Sequence, residues 1–143
     1  MKIAVKKLHK DALLPSLGSE YAAGADLYSV EEVTLGVGET KLVHTGLSME
    51  IPVGYGGFIF ARSGLATKRG LAPANKVGVI DADYRGEIMV ALHNHGTTSQ
   101  TIEKGERVAQ LVIMPFLAAE YFESDTLSQT QRGEGGFGSS GRK

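Results

Sequence analysis

The 143-residue chain contains no cysteine, which excludes disulfides, thiolate catalysis and zinc sites with cysteine ligands. It has no block of five or six like charges. Its formal net charge is −1, so the chain also lacks the excess of basic residues that is typical of duplex-binding proteins. No stretch approaches the about 18 consecutive apolar residues of a membrane span, and the charged, alternating opening residues do not resemble a signal peptide. We therefore expect neither nucleic acid nor membrane as a partner, and a soluble protein of the cytoplasmic type.

Short strand-like segments separated by glycines make up most of the chain. The segments KIAVKKL, YGGFIFA, VGVID, EIMVALHN and RVAQLVIMPF are rich in Val, Ile, Phe and Tyr. One short helix is predicted over SGLATKRG, where Ser63 can cap the start and Gly70 can form the end. The pattern predicts an all-β fold, a jelly-roll-like antiparallel β-barrel with one short helix. We assign the β-barrel domain to residues 1–131, and a flexible, glycine-rich C-terminal arm to residues 132–143.

The segment ARSGLATKRG is a candidate phosphate site. Arg62, Ser63 and Gly64 come between a strand and the predicted helix, where free backbone N–H groups and an arginine suit an anion. An ordinary capped helix with a surface arginine explains the same residues.

Acidic residues in two other segments are candidates for catalysis or metal binding. In GVIDADYRG, Asp81 ends an apolar strand, where a half-buried carboxylate could orient and deprotonate a water. The alternative is that Asp81 and Asp83 only form the turn, and we favour this for Asp83. Asp26 in AGADLYS is either a structural carboxylate or, together with substrate phosphates, a magnesium contact.

The glycine-rich end RGEGGFGSSGRK contains a single aromatic residue, Phe137. It is not a Walker A loop, because Arg142 and Lys143 occupy the Lys and Ser/Thr positions. Glycine N–H groups, serines and arginine can nevertheless bind phosphates, while Phe137 stacks on a base. These features favour a clamp that closes on a nucleotide. The HNH string over residues 93–95 offers two histidines without a third ligand, and packing is the favoured interpretation.

Five segments, AGADLYS, RSGLA, GVIDADYRG, GERVAQLV and RGEGGFGSSG, occur in this order, and together they resemble the motifs of the homotrimeric dUTP pyrophosphatases (dUTPases). The resemblance covers nearly the whole chain. It implies a jelly-roll-like fold and active sites at subunit interfaces, each closed by the C-terminal arm of another subunit. The implied reaction is Mg²⁺-dependent hydrolysis of dUTP to dUMP and pyrophosphate, which limits uracil in DNA and supplies dUMP for thymidylate synthesis.

The resemblance also implies a role for each matching residue. Asp81 would activate the attacking water, and Asp26 would contact the magnesium–triphosphate unit through water. Uracil and deoxyribose would be bound, in a β-hairpin pocket with Phe137 stacked on the base, by Asn75, Gly78, Val79, Ile80, Tyr84, Met89 and Phe137. Phosphates would be bound by Arg62, Ser63, Gly64, Gln110, Arg132, Gly138 and Ser139.

One departure from the family pattern is Ala61, where the family often has proline before RSG; this change removes no functional group. Two alternatives remain open. One is a relative of the dCTP deaminase type, which shares the fold and a related phosphate grip. The other is a dUTPase-like protein that binds nucleotide or a protein partner without turnover. The arm with Phe137, the VIDADYRG segment and the presence of Asp81 favour the hydrolase.

Overall fold

The computed structural model describes residues 1–136, which form twelve β-strands and one short helix. The elements in chain order are β1 Ala4–Lys7, β2 Ser16–Leu17, β3 Ala25–Tyr28, β4 Val33–Leu35, β5 Thr40–His44, β6 Leu47–Glu50, β7 Tyr55–Phe60, α1 Ser63–Arg69, β8 Leu71–Pro73, β9 Gly78–Ile80, β10 Met89–Asn94, β11 Gln100–Ile102 and β12 Arg107–Pro115. The all-β prediction is confirmed, and each strand-like segment named above contains a strand.

The strands pair in an antiparallel manner in four sheets. The largest has the order β2-β3-β12-β7-β9; the others are β5-β10-β8, β11-β4 and β1-β6. Within residues 1–136 these sheets do not close into a barrel, because the largest sheet ends at the edge strands β2 and β9. The barrel in our prediction is therefore wrong, whereas the jelly-roll-like, all-β class is correct.

Strand β10 shows how alternation divides the core from a cleft. Its residues alternate between half-buried and buried positions, so that Val90, Leu92 and Asn94 point into the core. The buried Asn94 is fully paired: its Nδ2 donates to the carbonyls of Leu35 and Thr98, at 3.1 and 2.8 Å, and its Oδ1 accepts the Gly96 N–H at 2.9 Å. The opposite face of β10 is free to line a cleft.

The N-cap of helix α1 lies one residue before the predicted position. Arg62 occupies the N-cap position without a capping side-chain bond, so the prediction that Ser63 caps the helix is wrong. The predicted end at Gly70 is confirmed, since Gly70 has φ 66° and a Cβ there would lie 2.7 Å from the Gly96 nitrogen. The Arg69 guanidinium pairs with Glu106 and fixes the helix to the turn before β12.

Residues 116–136 follow β12 without forming a helix or a strand. Four large apolar side chains of this segment, Leu117, Tyr121, Phe122 and Leu127, are 85–96% exposed in the single chain. In the part of the chain that the structure describes, no helix has the length and apolarity required to cross a membrane. The division of the chain at residue 131 remains a prediction.

Candidate active site

Three adjacent strands of the largest sheet bring polar side chains together. Gln110 of β12 is paired with Asp26 of β3 on one side and with Phe60 of β7 on the other. Arg62 follows β7 by two residues. Since neighbouring strands lie about 4.8 Å apart, this register fixes the spacing of the side chains. They line a cleft of about 230 Å³, here named the polar cleft, together with Ser63 and Arg107.

Asp26 is buried in the polar cleft between two arginines. Its Oδ1 accepts Arg62 Nε at 2.7 Å, and its Oδ2 accepts Arg107 Nη1 at 3.3 Å. A buried carboxylate requires such partners, because burial of an unpaired charge is costly. The three groups together carry one net positive charge. The polar cleft can therefore attract an anion.

Arg107 is a site residue that the sequence analysis missed. In a regular strand, residues three apart point to opposite faces, so Arg107 and Gln110 would not share a cleft. The register of β12 against β3 shifts between Arg107 and Ala109, and this bulge returns Arg107 to the face of Gln110. The GERVAQ string contains the arginine, but alternation along the strand gives no sign of the bulge.

Gln110 has a fixed place in the polar cleft because Gly24 leaves room for it. Its Nε2 donates to the Ala61 carbonyl at 2.9 Å, which orients the amide. A Cβ at Gly24 would lie 2.5 Å from Gln110 Oε1. Of the other predicted phosphate residues, Ser63 lines the polar cleft, whereas Gly64 is exposed in the first turn of α1 and is not among its lining residues.

A second cleft, of about 280 Å³, is here named the apolar cleft. Seven predicted residues line it: Asn75, Gly78, Val79, Ile80, Asp81, Tyr84 and Met89. The sequence analysis missed five more: Leu42, Ile59, Glu87, Ile88 and Ala91. Leu42 lies opposite Ala91 in the pairing of β5 with β10, so both belong to the face turned away from the core. In TKLVH the adjacent Leu42 and Val43 point to opposite faces of β5, and this second apolar residue is the sequence sign of the wall.

The loop that contains Asp81 and Tyr84 is not the turn of a β-hairpin. Strand β9 before the loop pairs with β7, whereas β10 after it pairs with β5 and β8. The expectation of a β-hairpin pocket is therefore wrong, because the loop connects two sheets. Arg85 stabilises the loop internally, donating from Nη1 to the carbonyls of Ala82 and Tyr84, at 2.7 and 3.0 Å.

Asp81 and Tyr84 differ in how firmly they are held. Asp81 is exposed rather than half-buried as expected, and its carboxylate makes no hydrogen bond within residues 1–136. The carboxylate can therefore accept a hydrogen bond from a water molecule. The Tyr84 hydroxyl donates to the Glu87 carbonyl at 2.9 Å, and the ring lies directly against Gly86. Asp83 is exposed in the same turn and lines neither cleft.

The structure does not bring all the predicted residues into one site. Within residues 1–136 no residue lines both clefts. Arg132 is exposed, lines neither cleft, and donates from Nε to the Gly135 carbonyl at 2.7 Å. The predicted positions Phe137, Gly138 and Ser139 lie outside the described residues.

The predicted preference for packing at His93 and His95 agrees with their contacts. The two ring centroids are 4.3 Å apart, and His93 Nδ1 is 2.7 Å from Thr40 Oγ1. Across the described residues, no group of three His, Asp or Glu side chains is placed to hold a metal ion.

Comparison with known proteins agrees with this arrangement. The dUTPase family model matches residues 10–141. Deoxyuridine 5′-triphosphate nucleotidohydrolase of Nautilia profundicola is 51% identical over 142 residues, covering 99% of this chain and all of the relative. The enzyme of the same name from a Hydrogenobaculum strain is 50% identical over the full length of both chains. Among solved structures, the dUTPase of Staphylococcus bacteriophage 80alpha with dUpNHpp is 33% identical, with a TM-score of 0.92 over 98% of each chain. The chain belongs to the dUTPase family.

Proposed function

We propose that this protein hydrolyses dUTP to dUMP and pyrophosphate. The proposal rests on one observation above all: a member of the dUTPase family presents one cleft suited to a nucleoside and another suited to its phosphates. The apolar cleft has hydrophobic walls and a few polar groups, as nucleoside pockets do. The polar cleft carries net positive charge and can bind a triphosphate.

Uracil is bound at the edge of the largest sheet. Strand β9 pairs with β7 on one side only, so backbone N–H and C=O groups of Gly78–Ile80 remain available on the other. These groups and the exposed Asn75 amide can pair with the donors and acceptors of a pyrimidine edge. Tyr84 packs against the deoxyribose and excludes a 2′-hydroxyl, and Met89 lines the same pocket.

The phosphates are bound in the polar cleft by Arg62, Ser63 and Gln110, and at its margin by Gly64, which follows Ser63 in the first turn of α1. Arg107 joins this set, because its guanidinium faces the same cleft. An incoming triphosphate can compete for the arginine donors that Asp26 occupies in the free chain. Arginine suits this task because its planar fork matches phosphate oxygens.

Magnesium fits the polar cleft in one arrangement. Among the residues described as lining it, Asp26 supplies the single carboxylate, and two arginines already bind it. Mg²⁺ is commonly held by one or two carboxylates plus substrate phosphates and water. We therefore propose that Asp26 contacts a magnesium–triphosphate unit through a bridging water. The ion would neutralise triphosphate charge as it builds in the transition state.

Asp81 supplies the general base in this proposal. Its exposed carboxylate is free to accept a proton from a water that attacks the α-phosphorus. The arm contributes Arg132 to the γ-phosphate, Phe137 to the uracil face, and Gly138 and Ser139 to the phosphates. Its closure would exclude other water and align the reacting atoms.

A homotrimer would unite the two clefts. Because no described residue lines both, a complete site can form where the apolar cleft of one chain meets the polar cleft of another. The four large apolar side chains after β12 that are 85–96% exposed also favour burial in an assembly, since burial of apolar surface is favourable. In the cell, the reaction would limit uracil in DNA and supply dUMP for thymidylate synthesis.

The test is pyrophosphate release from dUTP, dTTP, dCTP and UTP, with Mg²⁺ and with a chelator. We expect dUTP to be by far the best substrate and chelation to abolish turnover. Ammonia release from dCTP would instead identify a deaminase. Binding of dUTP without turnover would identify a non-catalytic relative, and either result refutes the proposal. Comparable turnover of dTTP would refute a uracil pocket too tight for a 5-methyl group.

A further inference from the structure

One side chain ties the loop between β9 and β10 to the turn between β5 and β6. Glu87 Oε1 accepts the Gly46 N–H at 2.8 Å, and Oε2 lies 2.9 Å from His44 Nδ1. The backbone carbonyl of Glu87 accepts the Tyr84 hydroxyl at 2.9 Å. We propose that Glu87 is a positioning residue whose carboxylate fixes the Tyr84 ring and so sets the discrimination between deoxyribose and ribose. This inference rests on the proposed function.

The Tyr84 ring depends on Glu87 for its orientation. The residue is 42% exposed, so surrounding core residues do not enclose the ring. Within residues 1–136 its hydroxyl has one hydrogen bond, to the Glu87 carbonyl. The ring also lies against Gly86, where an added Cβ would be 2.5 Å from Tyr84 Cζ. A displacement of the Gly86–Glu87 backbone therefore moves the ring.

The Glu87 backbone is in turn held by its own carboxylate. The next residue is fixed separately, because Ile88 N donates to the Leu47 carbonyl at 2.7 Å. On the other side, Ser48 Oγ donates to the Arg85 carbonyl at 2.8 Å. Between the fixed residues Arg85 and Ile88, the hydrogen bond from the Gly46 N–H to the Glu87 carboxylate holds residue 87 in place.

The anchor point at Gly46 is rigid. Gly46 has φ 66°, and a Cβ there would lie 2.8 Å from His9 Cβ and 3.0 Å from Ala12 Cβ. The turn is thus closely packed against the segment that follows β1. The hydrogen bond between Gly46 and Glu87 therefore holds the loop between β9 and β10 at a fixed distance from this turn.

His44 strengthens the same anchor. The hydrogen bond and charge of Glu87 raise the pKa of His44 above its ordinary value, because the carboxylate stabilises the protonated ring. Glu31 Oε1 accepts the backbone N–H of His44 at 3.5 Å, and His9, Glu31, His44 and Glu87 line one small cavity. His44 lies opposite Met89 in the pairing of β5 with β10, next to the apolar cleft.

The first experiment compares kcat/KM for dUTP and for UTP in Glu87→Ala and Glu87→Gln. We expect Glu87→Ala to lower the dUTP:UTP ratio about tenfold, the size of one lost charge-assisted hydrogen bond, mainly through KM. Glu87→Gln should retain most of the ratio at pH 8, because its amide oxygen can still accept the Gly46 N–H. Glu50→Ala is the matched control. It removes an acid 3.8 Å from Arg85 of the same loop, and the ratio should remain parental.

A double-mutant cycle separates positioning from a general structural effect. If Glu87 acts through Tyr84, then Glu87→Ala should add no further loss of discrimination in a Tyr84→Ala background. Additive losses, or an unchanged ratio in Glu87→Ala, overturn the inference. Should Glu87→Ala fail to fold by circular dichroism, His44→Ala removes one of the two carboxylate partners. It should lower the ratio in the same direction, and a parental ratio overturns the inference.

Failure of the proposed function has a different signature. In that case the parent protein itself would release no pyrophosphate from dUTP. Equilibrium binding of dUMP and UMP to the same variants would then measure the discrimination without turnover. A tenfold preference for dUMP that survives in Glu87→Ala overturns the inference on its own.

Discussion

Substitution of Gly86 by alanine moves the Tyr84 ring without removing any functional group. A Cβ at position 86 would lie 2.4 Å from the Tyr84 hydroxyl oxygen, 2.5 Å from Cζ and 2.9 Å from Cε2. Ordinary contacts of a Cβ begin at 3.4 Å. The ring must therefore withdraw by about 1 Å, a displacement at a positioned group that can cost roughly 10²-fold in rate.

The stability cost of Gly86→Ala should stay small. The φ of Gly86 lies outside the left-handed region, so alanine fits the backbone. The exposed ring can move outward, and the main loss is its hydrogen bond to the Glu87 carbonyl, worth about 1 kcal/mol. We thus expect a folded protein with a 10- to 100-fold lower kcat/KM for dUTP, as a rough range, and weaker discrimination against UTP.

The assay is pyrophosphate release from dUTP and UTP, with thermal unfolding measured alongside. Gly36→Ala is the control, since the nearest atom to its Cβ is Glu39 Oε2 at 3.5 Å, an ordinary contact. The rates of pyrophosphate release from dUTP and from UTP should both remain parental in Gly36→Ala. Parental kcat/KM and parental discrimination in Gly86→Ala would refute the role assigned to Tyr84.

Three further predictions concern the base, the arm and the histidine pair. Asp81→Asn should bind dUTP but lose about 10²–10⁴-fold in turnover, and turnover within a factor of a few of the parent would make Asp81 a turn residue only. Truncation before Arg132 should cut turnover severely while light scattering and melting temperature stay nearly parental; unfolding with intact specific activity would make the arm structural. The raised pKa of His44 means that its pair with Glu87 stabilises the fold fully below about pH 6.5 and loses this effect as pH rises through the folded-state pKa. His44→Asn should remove that part of the pH dependence of thermal unfolding, and an unchanged profile would contradict it.

The sequence predicts the strands of this fold better than their partners. Enrichment in Val, Ile, Phe and Tyr locates β7, β10 and β12, because β-branched and aromatic side chains suit strands. It contains no information on pairing, so β9 and β10 look like the two arms of a hairpin although they belong to different sheets. Strand pairing is decided by contacts between residues far apart in the sequence, and these contacts form only when the whole chain folds.

The candidate site shows the same limit at the level of single residues. Seven residues of the apolar cleft were predicted: five belong to the GVIDADYRG motif, and Asn75 and Met89 came from the family resemblance. Arg107 was missed because a bulge changes its face, and Glu87 because its partners, His44 and Gly46, are more than 40 residues away. Ser63 was assigned to a cap because serine is common there, whereas the structure places Arg62 at the N-cap.

The separation of the two clefts has a genetic consequence. A chain with Arg62→Ala is damaged in the polar cleft, and a chain with Asp81→Asn in the apolar cleft. If each active site combines clefts from two chains, neither variant alone forms an intact site, but mixed assemblies contain sites in which both clefts are intact. Two inactive alleles expressed together would then restore dUTP hydrolysis where neither does alone, whereas a site built within one chain could never be rescued in this way.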